Sequence, residues 1–373
     1  MGRAVLITGG AGFIGSHLAD ALLGRGHRVR VLDNLDPQVH GDGRKRPDYL
    51  DPEVELIPGD VRDVDAVAKA LRGIDAVFHL AACVGVGQSM YEVARYTGVN
   101  NLGTAVLLEA LIKRPVESLV VASSMSICGE GLYRDPNGEI AAGQERSLDD
   151  LKARRWEVTD GAGNTLTPVP TPEAKAPCLA SVYALSKFDQ ERMTLLIGRA
   201  YNIPTVALRF FNVYGTRQAL SNPYTGVLAI FASRLLNGNA PLVNEDGLQR
   251  RDFVSVRDVA QACCLAMERG NDVAGQVFNV GSGRNYTVLE IAQKLGQILG
   301  NPSIAADVTG KYRVGDIRHC FADITLARDL LGYEPQVDFD DGLVELGQWL
   351  KGQVAVDRVA QAADELSSRG LTV

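Results

Sequence analysis

Short apolar runs recur along the first two hundred residues, each bounded by turn chemistry and followed by a stretch of helical periodicity. Ala4-Val5-Leu6-Ile7 is the first run, within a strand predicted over Arg3 to Thr8; a glycine loop and a helix to about Leu23 follow. Gly24-Arg25-Gly26 ends that helix, and Val29-Arg30-Val31-Leu32-Asp33 reads as the second strand. Val54-Glu55-Leu56-Ile57, Ala76-Val77-Phe78-His79-Leu80 and Ser118-Leu119-Val120-Val121-Ala122 are further strands, with helices over roughly 63–72 and 99–113. A helix from near Ser181 to about Tyr201 leads into a strand at Thr205-Val206-Ala207-Leu208-Arg209. Strands alternating with helices predict a doubly wound parallel sheet covered on both faces.

Two stretches depart from this rhythm. Residues 131–177 are rich in turn formers, as in Arg134-Asp135-Pro136-Asn137-Gly138 and Asp160-Gly161-Ala162-Gly163-Asn164. An insertion of this length is more often a functional lid or elaboration than a plain connection, and the pattern leaves open which. After Arg209 the elements become mixed. Residues 1–208 are therefore expected to form one α/β domain, with parts of 229–281 returning to its sheet, and 209–350 a smaller α/β substrate domain. Residues 353–373 read as a polar, weakly amphipathic helical tail.

Candidate chemistry sits at the edges of the predicted elements. Thr8-Gly9-Gly10-Ala11-Gly12-Phe13-Ile14-Gly15 follows a strand and opens a helix. Gly9, Gly12 and Gly15 would allow a tight turn, close approach of backbone N–H groups to phosphate, and close helix–strand packing. The helix N-terminus then faces an anionic pyrophosphate. Asp33, eighteen residues past Gly15, ends the second strand, where its carboxylate would accept from ribose hydroxyls. Its charge would repel the extra phosphate of NADP, so NAD is the expected cofactor; a solvated turn aspartate is the rival reading. Asp60-Val61 would reach adenine, and Leu80-Ala81-Ala82 would line the cofactor with small apolar groups.

Tyr183-Ala184-Leu185-Ser186-Lys187 places a phenol and an ammonium one helical turn apart on one face. A free tyrosine has a pKa of ~10, too high for a base at neutral pH. A neighbouring lysine would lower it and would also hold the nicotinamide ribose, letting Tyr183 take a proton from a sugar hydroxyl while hydride leaves the same carbon. Ser123 and Ser124 follow a strand on the side of the sheet where ligands of such folds bind, although serines at strand ends are also ordinary turn formers.

Composition narrows the classes. The 373 residues, 46% apolar, suffice for a large core, and 39 glycines with 15 prolines show no low-complexity bias. A formal charge of −7 supplies no reason to expect nucleic acid or an anionic membrane as partner. Six scattered cysteines form no Cys-x-x-Cys motif, so neither a zinc site nor a disulfide framework is expected. No run reaches the ~18 apolar residues of a membrane span, and the chain opens on a strand rather than a leader pattern, so a soluble cytoplasmic protein is expected.

The glycine-loop opening, His79-Leu80-Ala81-Ala82, Ser123-Ser124, Tyr183 to Lys187 and Arg209-Phe210-Phe211-Asn212-Val213-Tyr214-Gly215 together resemble the extended short-chain dehydrogenase/reductases. The nearest group is the nucleotide-sugar epimerases and dehydratases, over roughly residues 4–350. The resemblance implies a Rossmann-type fold and Ser124, Tyr183 and Lys187 as the catalytic set. It adds Phe13, Ile14, Asn34, Asn100 and Ser123 to the cofactor contacts already named. For a nucleotide-diphosphate sugar it implies Ser89, Ser124, Asn212, Arg251, Arg313 and Asp316. Guanidinium forks suit phosphate oxygens, with a structural salt bridge as the rival for each arginine.

Two departures bear on the reaction. The dehydratase branch typically has an Asp–Glu pair after the catalytic hydroxyl residue; here the positions are Met125 and Ser126, neither fit for the extra acid and base, so 4-epimerisation is favoured over dehydration. Cys128 stands where relatives usually have tyrosine. The insertion, Val84-Gly85-Val86-Gly87-Gln88-Ser89-Met90 and Asn222-Pro223-Tyr224-Thr225-Gly226 look most like dTDP-L-rhamnose 4-epimerases. That implies a dTDP-6-deoxyhexose substrate, with UDP-hexose or UDP-uronate 4-epimerase as the alternative. A sugar-nucleotide reductase and a non-catalytic NAD or nucleotide-sugar sensor are remoter rivals. The family commonly dimerises through paired helices, here those at 99–113 and around Tyr183. Leu107, Leu108 and Leu111 would offer apolar surface, though core packing explains them equally well.

Overall fold

The computed structural model describes residues 2–313 and 315–372. Seven strands form a wholly parallel sheet: β1 (Ala4–Thr8), β2 (Arg28–Asp33), β3 (Glu55–Pro58), β4 (Ala76–His79), β5 (Ser118–Ser124), β6 (Thr205–Phe210) and β7 (Val277–Val280). Their order is β7-β6-β5-β4-β1-β2-β3, so the sequence of strands reverses between β1 and β4. In open α/β sheets the crevice at such a reversal is where ligands bind.

Burial on both faces explains the unbroken apolar strands. Val5, Ile7, Val31, Phe78 and Val120 point into one core, with helices α1 (Phe13–Leu23) and Val256–Glu268. Their neighbours Leu6, Leu32, Val77 and Leu119 point into the other. That second core is covered by α2 (Val64–Ala70), α3 (Gly103–Lys113) and α4 (Val182–Ala200). Leu107, Leu108 and Leu111 of α3 belong to this core and are almost fully buried, so they offer no free surface; the helix turns them toward β4 and β5. The helix predicted from 99 begins with a wide π turn, Thr97–Leu102, which carries Asn100 into the interior.

Further along, α5 (Val227–Leu236), α6 (Val256–Glu268), α7 (Val288–Ile298) and α8 (Phe339–Leu350) follow. All but α6 gather around Tyr214, Phe253 and Phe339 in a separate apolar cluster. The tail carries α9 (Val359–Ser368). The insertion contains a three-stranded antiparallel sheet, Ile140–Ala142, Leu132–Arg134 and Thr167–Val169, over a small core of Tyr133, Val158 and Leu166. No helix among the described residues is long and apolar enough to cross a membrane.

Candidate active site

The glycine turn joins β1 to α1 at the reversal point. Gly9 sits at φ +72°, and a Cβ there would lie 2.8 Å from the Ala81 backbone. A Cβ on Gly15 would fall 2.5 Å from the Gly9 carbonyl oxygen, so both positions admit only glycine. At Gly12, the residue before α1, a Cβ would meet only the Gly9 oxygen at 3.4 Å, leaving an open cradle beside the helix N-terminus. Phe13 and Ile14 are partly exposed in the first turn of α1. A backbone-lined hollow at a helix N-terminus fits a pyrophosphate.

Asp33 is buried at the end of β2, its two oxygens accepting from the Ala11 and Leu35 amides at 3.0 and 2.9 Å. Burial pushes its pKa up, opposed by those amides and by His40, whose Nε2 lies 3.8 Å away. Asn34 is exposed and donates to Asp60 at 3.3 Å. Asp60 also pairs with Arg62, whose bonds hold its pKa at about 2. Val61 is buried where a Cβ on Gly103 would strike it at 2.6 Å. Leu80, Ala81 and Ala82 are partly exposed just past β4. Asn100 bridges both backbone groups of Cys83 and donates to Ser186 at 2.9 Å. The residues present fit a dinucleotide.

Ser124 ends β5, one strand beyond the reversal, and Tyr183 opens α4 beside it. Burial raises the Tyr183 phenol above the usual 10, and the nearby Ser124 hydroxyl opposes that rise. The Ser124 hydroxyl accepts from Ser126 Oγ at 2.9 Å and from the Ser126 amide at 3.2 Å. Lys187 is turned away from the phenol: its ammonium donates to Gln190 at 2.8 Å. Burial drops the Lys187 pKa to about 7, with Glu191 pulling it up. The expected lowering of the phenol by Lys187 is therefore absent, because the lysine chain runs along α4 to the next turn.

The surroundings of Lys187 are neutral. Gln190 donates to Thr104 at 2.8 Å, and His79 contacts the Thr8 and Thr104 hydroxyls at 2.8 Å each. Desolvation keeps that imidazole neutral, with a pKa of about 3. These partners carried no role in the sequence reading, yet a signal was present. Ser186, Lys187, Gln190, Glu191 and Thr194 form a polar stripe at helical spacing, and all of it is buried. Glu191 makes a two-pronged pair with Arg209 on β6, 2.8 and 2.9 Å, and accepts from Ser123 at 2.7 Å.

The remaining candidates divide. Ser89 is fully buried; its hydroxyl donates to the Val86 carbonyl at 2.6 Å and accepts from the Tyr183 amide at 3.0 Å. Asn212 donates to the Asp252 carbonyl at 3.0 Å, next to Arg251, which itself lies 3.6 Å from Asp316. Arg251 also donates to the carbonyls of Ile317 and Arg318. Arg313 is exposed and its backbone pairs with Thr372 of the tail. Cys128 is buried against Met125, Phe211 and Cys320, and all six cysteines are free.

A second buried polar cluster ties the insertion to the C-terminal half. Arg318, wholly buried, binds Glu157, Glu245 and Asp246, and Arg146 binds Glu245 at 2.9 Å. Glu130 accepts from the Arg318 and His319 amides and from Tyr133. Nothing in the local sequence pattern marks these residues as partners, since they are separated by up to 189 positions.

A parallel sheet with a glycine cradle at its reversal point, and a Ser–Tyr pair one strand away, defines a dinucleotide-dependent enzyme of the extended short-chain type. The pattern of the NAD dependent epimerase/dehydratase family matches residues 5–147 and 162–281, and the chain belongs to that family. It is an NAD-dependent enzyme of this class. It is 35% identical over 353 residues to the dTDP-L-rhamnose 4-epimerase of Burkholderia thailandensis, covering 94% of this chain and 95% of that one. Among solved structures it resembles UDP-glucose 4-epimerase with UDP-glucose from Thermotoga maritima, at TM-score 0.75 and 31% identity, covering 93% and 98%. UDP-glucuronic acid 4-epimerase from Bacillus cereus, in complex with UDP-glucuronic acid and NAD, aligns at TM-score 0.74 and 28% identity, covering 93% and 99%.

Proposed function

We propose that the chain is a nucleotide-sugar 4-epimerase whose substrate is a dTDP-6-deoxyhexose such as dTDP-L-rhamnose. The observation that carries the reading is the placement of Tyr183, at the start of α4, beside Ser124 at the end of β5, one strand from the reversal. NAD, held by the glycine cradle and Asp33, would supply reversible hydride acceptance at that sugar carbon. Tyr183 takes the proton of the 4-hydroxyl and later gives it back. Ser124 holds the sugar oxygen as it passes between alcohol and ketone, with Ser126 backing the serine. Lys187, with a pKa of about 7, changes charge readily near neutrality; its ammonium, turned to Gln190, would hold the nicotinamide ribose rather than lower the phenol. Met125 and Ser126 offer no acid–base pair for loss of water, so the ketone is turned over and reduced on its other face.

Gly9, Gly12, Gly15, Phe13, Ile14, Asp33, Asn34, Asp60, Val61, Leu80, Ala81, Ala82, Asn100 and Ser123 are assigned to the cofactor. Asn212, Arg251 and Asp316 are assigned to the diphosphate end, where Arg251 and Asp316 lie close together. Arg313, exposed and three residues before Asp316, is assigned to the same end. The similarity of the chain to UDP-glucose and UDP-glucuronic acid 4-epimerases favours a second substrate reading, a UDP-hexose or UDP-uronate. We further assign a cytoplasmic homodimer formed through α3 and α4. Leu102, Leu185 and Leu196 are the exposed apolar residues on those helices and the turn before them. A monomer mass in solution scattering would remove the dimer.

Incubation of the purified protein with a panel of dTDP- and UDP-sugars, without added reductant, tests the activity and ranks the substrates. Formation of the 4-epimer with NAD conserved is the expected result. Stoichiometric NADH release without an epimer, or unchanged turnover in Tyr183→Phe, would refute it; the expected loss in that variant is ~10²–10⁴-fold with bound NAD unchanged.

A further inference from the structure

The tail was read from sequence only as a polar, weakly amphipathic helix. In the fold its inner face lies on the loop that supports Tyr183. Leu366 of α9 is buried against Gly87, where a Cβ would come within 3.1 Å of the leucine methyl. Glu365 accepts from the Tyr224 and Tyr91 hydroxyls at 2.8 and 3.1 Å, and those two hydroxyls are themselves 2.6 Å apart. The Arg369 guanidinium lies over the Tyr91 ring at 4.3 Å. One carboxylate oxygen thus joins the 85–91 loop to the 222–226 segment, and both phenols hold the Glu365 carboxyl below its ordinary pKa.

The same loop reaches the site from its other side. Ser89 accepts the Tyr183 amide at 3.0 Å, and Gln88 accepts from the Tyr96 hydroxyl at 3.1 Å. The Tyr96 ring meets Tyr183 edge-on at 6.4 Å. The tail is anchored independently, by Asp357 to Arg234 and Asn239 and by the Ala355 carbonyl to Asn237. Force on the loop from α9 therefore has a fixed base.

We propose that the C-terminal helix is a positioning element for the catalytic tyrosine: Glu365 and Leu366 hold the 85–91 loop so that Ser89 and Tyr96 fix Tyr183. Glu365 touches no reacting atom and acts through Tyr91, Tyr224 and Ser89. The proposal rests on the reading of Tyr183 as the proton-moving group.

The test uses the full-length protein with Glu365→Ala, Glu365→Gln and Leu366→Ala. Amide exchange over residues 181–187, followed by mass spectrometry without substrate, is expected to quicken in both alanine variants. On the sugar found by the panel above, kcat is expected to fall about tenfold in each, with KM, bound NAD and melting temperature held. A 4-deuterated substrate should then show a larger isotope effect, and Glu365→Gln, which keeps an acceptor oxygen, should recover most of the rate. Unchanged turnover overturns the proposal, whether or not exchange quickens. So does a parallel fall of melting temperature, bound NAD and turnover, the mark of a purely structural role. If the unmodified protein acts on no sugar in the panel, the functional reading fails instead; exchange over 181–187 then decides the positioning contact, and an unchanged rate overturns it.

Discussion

Two buried polar clusters in this protein are built on opposite principles. Beneath α4, Lys187, Gln190, Thr104, His79 and Thr8 form a chain that is neutral except for the lysine. Between the insertion and the C-terminal half, the buried Arg318 and Arg146 face buried Glu130 and Glu245 and the partly exposed Glu157 and Asp246. Taking those charges out of water is costly and is offset only by close pairing and full hydrogen bonding. The ionic cluster thus fixes where the insertion sits. The neutral one leaves Lys187 with a pKa of about 7, so that group titrates near neutrality. A cluster of strong charges at the same place would hold a lysine permanently in one state.

Breaking the ionic cluster should have the largest effect on stability. Arg318→Met leaves Glu157 and Asp246 without their guanidinium and Glu245 with Arg146 alone, and is expected to cost ~3–5 kcal/mol in chemical denaturation. A loss near 1 kcal/mol would show that the cluster is wetter than its burial indicates. In the neutral chain, Gln190→Leu removes the Lys187 acceptor and should cost ~1–3 kcal/mol, since one buried donor loses its partner. It should also lower the Lys187 pKa further, readable as an acid shift in the pH profile of turnover.

Acid should loosen the ionic cluster and spare the neutral one. Glu157 is held at about 2 by His319 and Arg318, against 4.5 for a free glutamate. A depressed carboxyl stabilises the fold above its unfolded value, and that contribution is lost as pH falls from about 4.5 to about 2. Amide exchange in residues 131–177 should rise over this window before exchange in α4 does. Lys187 behaves in the other sense. Its folded pKa is below the free value of 10.5, so charging it costs stability as pH falls from there to about 7, and nothing more is lost below. The smallest effect is expected at the surface, where Arg257→Ala removes an exposed pair with Glu345 and should change stability by less than ~1 kcal/mol.

Legibility in the sequence followed the range of the interaction. Six of the seven sheet strands and helices α1 to α4 were readable because apolar runs and their turns are local, and the glycine turn with Asp33 was readable because spacing alone defines it. The Ser–Tyr–Lys set was readable as residue types on adjoining elements. The partner of Lys187 was not, although the buried polar stripe along α4 contained it; an expected attraction to Tyr183 took precedence over Gln190, one turn further on. Leu107, Leu108 and Leu111 had the same apolar character whether they faced a core or a partner, and only packing assigned them to the core.

By itself the chain's residue pattern determined the doubly wound architecture, the dinucleotide cradle and the type of chemistry, since each depends on contacts within a turn or on the alternation of neighbours. Only the tertiary structure decided which way Lys187 points, how the insertion is held by Arg318, and that a C-terminal helix braces the loop behind Tyr183. These depend on hydrogen-bonded groups as much as 274 positions apart, whose meeting depends on how all the layers pack and which charges that packing strips of water.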